Sequence, residues 1–202
     1  MSILKDIYKS IFGKDFSSVW HQFANENCGT IMPVPSNTVQ FFYKGLIITF
    51  DAYTHYTTSG GNSYDAEFTR GYVEFVSKDD FSLFITKQGF IEKFKKLFGS
   101  QDIEIGERQF DEKFIVKSND ETKAILYLAN TSITKLLVEM KTICLDITDG
   151  EGLWNEKPSL GNYMLYFIAD GQVTEIKQLN QLFQLFTCSV DTLIKLNSIY
   201  HQ

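Results

Sequence analysis

Phenylalanine outnumbers leucine in this chain of 202 residues, 18 against 17, and 10 Tyr and 2 Trp accompany it. Rings of that size either fill a core or line a contact surface, and their spacing decides which element carries them. Both periods occur. Phe16, Val19, Trp20, Phe23 and Ala24 recur at helical spacing, with Asp15 or Ser17 placed to cap the helix and Cys28-Gly29 to end it. From Leu46 to Tyr53 the period is two, with Leu46, Ile48, Phe50 and Ala52 on one face and Ile47, Thr49, Asp51 and Tyr53 on the other. A chain mixing these patterns is predicted to fold as α+β, a curved antiparallel sheet covered by helices.

Further elements follow from the same reasoning. Residues 3 to 12 form an amphipathic stripe read as a short docked helix. Val39 to Tyr43 is a short aromatic strand that Lys44-Gly45 turns into the next. Ser59-Gly60-Gly61-Asn62 is a loop before a long strand from Tyr64 to Val76, in which Gly71 suits a bulge. Phe81 to Thr86 is a strand, and residues 88 to 98 a helix stopped by Gly99. Asp102 to Ile105 and Phe110 to Lys117 read as strands. Helices run from the Ser118–Glu121 segment to Leu128 and from Thr131 or Ser132 to Met140. Strands at Thr142 to Thr148, Leu153 to Glu156 and Tyr163 to Ile168 come next, with Asp149-Gly150 at a hairpin turn. A helix from Val173 to about Tyr200 closes the chain, with Cys188-Ser189 as its expected break. Helix, three strands, helix thus occurs at 16–98 and again at 131–200, within one domain spanning 1–202.

Charge and composition exclude several functions. With 19 basic and 25 acidic side chains the net charge is −6, which argues against nucleic acid as a partner. No apolar run approaches the roughly 20 residues of a membrane span, and the start lacks a signal-peptide core, so a cytoplasmic location is expected. Three widely spaced cysteines, Cys28, Cys144 and Cys188, make no disulfide framework.

Chemistry-bearing clusters are few, and no motif assigns a reaction or a cofactor. Asp102, Glu104, Glu107, Asp111 and Glu112 are interleaved with Arg108, Lys113 and Lys117, as on a solvated strand edge. Asp146, Asp149, Glu151 and Glu156 miss calcium-loop spacing, because Gly150 falls one place early. An enzyme would have to draw on His21, His55 or Cys28, brought together only by the fold. Lysines between Lys87 and Lys96 alternate with Phe90, Phe94 and Phe98, but these rings lie at core spacing. Tyr53, His55, Tyr56 and Tyr64 flank the polar loop, and Phe68 and Tyr72 follow on the next strand; these six are the candidate binding residues.

The segment from Phe98 to Ala124 carries a Gly-x-x-Asp strand, then Phe110-Asp111-x-x-Phe114-x-Val116 and a helix start containing Asp120; Trp20-x-x-Phe23-Ala24 precedes it. This pattern resembles a diffuse group of uncharacterised bacterial domain-of-unknown-function proteins. The resemblance implies no catalytic residue. It marks Phe110, Asp111 and Phe114 as structural signature positions, the rings packing on one strand face and Asp111 anchoring a turn or pairing with a base.

The expected function is a binding or structural module without an evident catalytic centre. Two partner classes stay open: a protein, including a second copy of the chain, and an apolar small molecule carried between sheet and helix.

Overall fold

Strand alternation produces one sheet of eight strands, every neighbouring pair antiparallel, in a computed structural model that describes residues 16–33, 38–59, 62–89, 102–150 and 157–200. In chain order the strands are β1 (Thr30–Ile31), β2 (Thr38–Tyr43), β3 (Leu46–Ser59), β4 (Asn62–Phe75), β5 (Leu83–Lys87), β6 (Phe114–Ser118), β7 (Ile143–Thr148) and β8 (Tyr163–Asp170). The described helices are α1 (Phe16–Glu26), α2 (Arg108–Asp111), α3 (Glu121–Leu128), α4 (Thr131–Glu139) and α5 (Ile176–Lys195). Across the sheet the order is β1-β2-β3-β4-β8-β7-β5-β6, so strands from 16–98 and 131–200 interleave: β4 lies beside β8 and β5 beside β7. The fold is α+β.

One face of the sheet carries the main core. Phe41, Phe50, Val73, Phe167, Leu145 and Ile85 point to it and meet Phe23 of α1 and Phe186 of α5, all of them buried. The rings form a contiguous stack. Phe183 lies 4.5 Å from Phe41 and 6.0 Å from Phe23, and Phe50 is 5.6 Å from each of Phe23, Phe167 and Phe186. Each fully buried phenylalanine contributes roughly 1.5–3 kcal/mol of transfer free energy, so this stack dominates the packing of α1 and α5. Every buried apolar side chain that a described helix contributes belongs to this core; the smaller cluster on the opposite face comes from strands alone.

Turn chemistry sets the registers. Lys44 and Gly45 both have positive φ, 50° and 83°, the conformation that a two-residue hairpin needs to match strand twist. That turn fixes Tyr43 opposite Leu46 and Phe42 opposite Ile47. Caps fix two helix starts: the Asp120 carboxylate accepts from Lys123 N at 2.9 Å and the Asn130 side chain from Ser132 N at 3.1 Å.

Several expectations are corrected. Gly71 makes no bulge, for β4 pairs without interruption from Phe68 to Phe75; a Cβ there would lie 2.4 Å from the Phe167 ring, so close approach is what requires glycine. Residues 102–105 form no strand, although Ile103 N bonds Val116 O at 2.9 Å. The segment 108–111 is a helical turn, and the strand predicted from Phe110 starts only at Phe114. Phe110 and Phe114 still pack together, stacked at 4.5 Å, because one turn brings them onto the same side. Asp149 and Gly150 bend the chain after β7, and the strand that would complete a hairpin there lies outside the described residues. Helix α5 passes unbroken through Cys188-Ser189, since Ser189 returns its hydroxyl to Leu185 O at 2.8 Å within the helix. It stops at Lys195, and Ile199 bridges back to Ser77. The helices predicted at 3–12 and 88–98 and the strand at 153–156 lie outside the described residues, apart from Gln88 and Gly89, which form a turn.

Candidate interaction surface

The antiparallel registers line up the second face of the sheet in rows. Thr49, Tyr72, Tyr166, Asp146, Phe84 and Lys117 stand opposite one another from β3 to β6. Asp51, Arg70, Ile168, Cys144 and Thr86 form the adjacent row, and Tyr53 with Phe68 the next. Of the residues singled out by sequence, the fold therefore brings Tyr53, Phe68 and Tyr72 onto one face. Phe68 is buried, while Tyr53 and Tyr72 are half-buried against the same strand-only cluster. The Arg70 guanidinium lies 3.9 Å from the Tyr53 ring centroid and grips the buried Asp51 carboxylate. Tyr72 stacks on Tyr166 at 6.4 Å.

Burial controls the electrostatics of this face. Desolvation pushes the Asp146 carboxyl up to about 7. Burial also lifts the Cys144 thiol well above its usual range, with the Asp146 charge adding to the effect. At the β2–β3 hairpin, partial burial and the Asp191 carboxylate raise the Tyr43 phenol to about 12; its hydroxyl donates to Asp191 at 2.9 Å, and Lys44 pairs with the same oxygen at 2.6 Å.

The corner of this face beside the hairpin is open. Phe42 is 78% exposed and its cross-strand neighbour Ile47 57%. Both point away from the helix-covered core by the strand alternation that sends Phe41 and Ile48 into it. Val76, just past the end of β4, and Tyr200, whose backbone bonds Val76 O at 3.1 Å, are also exposed. Glu74 accepts from Ser159 N at 2.7 Å and from Asn162 at 2.8 Å, which holds the turn bearing the fully exposed Leu160 at that end of β4. Five of the seven exposed large apolar residues among those described, namely Phe42, Ile47, Val76, Leu160 and Tyr200, thus gather at one end of the sheet. The pattern missed them because it assigned the rings of Val39 to Tyr43 jointly to a strand. The available signal was the consecutive Phe41-Phe42-Tyr43, which cannot place every ring on one face.

The remaining candidates are dispersed. His55 pairs with Ala66, Tyr56 with Asp65 and Thr57 with Tyr64 along the β3–β4 backbone; the side chains of His55, Tyr56 and Tyr64 lie outside the described set. His21 and Cys28 are exposed. Asp111 accepts from Ile105 N and Gly106 N, both at 3.0 Å, and so ties the 105–106 turn to α2. Among the described residues no group of His, Cys, Asp and Glu is arranged to hold a metal ion. A cleft of about 240 Å³ between α4 and α5, lined by Ser132, Lys135, Glu139 and Gln181, is smaller than ordinary ligand pockets. No described helix is long and apolar enough to cross a membrane.

No protein-family model, no curated protein and no solved structure matches the chain.

Proposed function

We propose that the protein is a binding module that docks another protein on the hairpin corner of its sheet. The observation that carries this reading is the exposed cross-strand pair Phe42 and Ile47, within the apolar group that includes Val76, Leu160 and Tyr200. Solvent-exposed apolar side chains are ordinary when scattered, but several gathered at one end of a sheet suit a contact surface. Its chemistry suits a protein partner better than a nucleic acid, which would call for a basic surface; Lys44, the cation of this hairpin, is engaged by Asp191. Closely stacked rings around Phe183 favour a solid core over a carrier cavity on the helix-covered side. The three free cysteines suit a reducing compartment.

A photo-reactive phenylalanine analogue at position 42, compared with one at position 126 on α3, tests the proposal in cells producing the protein. Leu126 is 55% exposed and is carried by a helix rather than by the sheet. A discrete adduct at 42 and none at 126 is expected, and its mass distinguishes a second copy from a different protein. No adduct at 42, or equal labelling at both positions, refutes it. The double variant F42S/I47T keeps its stability within about 0.5 kcal/mol of the parent, because neither side chain is buried.

A further inference from the structure

The row of the second face that lies next to the hairpin holds a charge. Phe42 faces Ile47 across β2 and β3, and the register that sets Ile48 opposite Val73 brings Ile47 opposite Glu74 on β4. Glu74 in turn pairs with Met164 on β8. Strand alternation sends these four side chains to one side, because their neighbours Phe41, Ile48, Val73 and Leu165 enter the main core. Directly opposed side chains on adjacent strands stand about 5 Å apart. A carboxylate is thus the immediate neighbour of the exposed apolar pair.

Only half of that carboxylate is engaged. Oε1 of Glu74 accepts both bonds from the 159–162 turn, Ser159 N at 2.7 Å and Asn162 Nδ2 at 2.8 Å. Oε2 accepts none among the described residues and is not enclosed, Glu74 being half-buried. The bond from Ser159 first, and that from Asn162 second, hold the carboxyl below its usual range, so it is charged at neutral pH. The lysines of this end are engaged elsewhere: Lys44 by Asp191, Lys123 by Asp79, and Lys78 by Asn197 with the Tyr200 ring beneath it. Lys157, two residues before Ser159, is also engaged.

A charged oxygen left open beside exposed apolar side chains selects a partner that carries the opposite charge next to apolar groups. Resting on the docking reading above, we propose that the partner presents a lysine or arginine flanked by apolar side chains: the cation pairs with Glu74 Oε2, and the apolar side chains cover Phe42, Ile47 and Leu160. The turn that Glu74 holds carries Leu160, so one carboxylate serves both contacts. The net charge of −6 adds a general attraction for such a segment. A wholly apolar partner is disfavoured, because it would cover an ionised carboxylate and leave it unpaired.

The photo-reactive phenylalanine analogue at position 42 reports this contact. The purified full-length chain carrying it is irradiated in an extract of the producing cells at about 0.05 M and about 0.5 M sodium chloride. The expected adduct forms at low salt and falls roughly tenfold at high salt. E74Q removes the charge while its amide oxygen still accepts from Ser159 and Asn162. It lowers the low-salt adduct roughly tenfold, and what remains no longer falls with salt, which mere loosening of the turn would not produce. D80N/D149N removes two exposed carboxylates outside the row and leaves the yield within about twofold of the parent. An adduct at 42 that is indifferent to salt or to E74Q overturns the proposal and leaves the docking reading standing. Equal losses in E74Q and D80N/D149N overturn it too, since net charge rather than Glu74 then selects the partner. No adduct at 42 in the parent at either salt removes the docking reading and this proposal together.

Discussion

Arg70 and Asp51 stand directly opposite each other on β4 and β3, and the guanidinium holds the carboxylate through Nε at 2.8 Å and Nη2 at 2.6 Å with both side chains about 8% exposed. Two parallel bonds in a fixed fork make a pair that is specific in geometry as well as in charge.

Removing one partner takes this fork apart. D51A leaves a buried guanidinium without its carboxylate and costs roughly 3–5 kcal/mol in urea unfolding. The double variant D51L/R70M removes both charges and recovers most of that loss, because the desolvation cost disappears together with the attraction. A double variant no more stable than D51A contradicts this account.

Gly71 meets Phe167 across β4 and β8, and a Cβ at 71 would stand 2.4 Å from that ring and 3.1 Å from Phe50. G71A therefore destabilises by about 1–3 kcal/mol through overpacking. Adding F167L, which replaces the planar ring with a smaller side chain, restores part of the loss. A G71A protein with the parent's thermal midpoint rules the steric explanation out.

Asp111 satisfies two backbone N–H groups at the 105–106 turn, where Gly106 has φ 80°. D111A frees both donors and costs about 1–2 kcal/mol, and amide exchange accelerates first at Ile105 and Gly106. Uniform acceleration across β6 and α3 instead would assign Asp111 a global role. D111N, able to accept only one of the two bonds well, falls between parent and D111A.

Asp146 makes stability depend on pH with a definite sign. Its folded-state pKa is raised to about 7 from an ordinary 3.8 by desolvation. The stability it contributes is therefore fully present below about pH 3.8, and is lost as pH rises through 7. That shift amounts to about 4 kcal/mol as an upper bound. Glu74 and Glu26 are held below their usual range by hydrogen bonds, Glu74 chiefly from Ser159 and Glu26 chiefly from Asn180, and act in the opposite direction at acid pH. The difference between parent and D146N isolates the Asp146 contribution: D146N gains on the parent between pH 5 and pH 8 in guanidinium midpoints. A difference that does not change with pH shows that Asp146 ionises freely in the fold.

Periodicity located most elements, because helix and strand each need only a local pattern. Phe23 and Trp20 could be placed on a buried helical face, and Ile48 and Phe50 on a buried strand face, from spacing alone. Where the pattern was short or shared, it misled. Phe110 and Phe114 are four apart, which suits one strand face and one helical turn equally, and the bonds from Ile105 N and Gly106 N to the Asp111 carboxylate hold the turn. Ser189 suggested a helix break, but an i to i−4 hydroxyl bond lets it stay within α5.

By itself the sequence determined the α+β class, the two-residue turn at Lys44-Gly45, and the presence of Tyr53, Phe68 and Tyr72 on the strands that flank the polar loop. These depend on alternation and turn chemistry, which act over a few residues. Only the tertiary structure decided that β8 lies beside β4 and that Phe42 is exposed while Phe41 is buried. It also decided that Asp51 meets Arg70 and that Asp146 meets no base among the described residues. Strand order brings residues far apart in sequence into one row, and burial depends on what every other element covers. A ring or a carboxylate therefore carries no mark in the sequence of whether water will reach it.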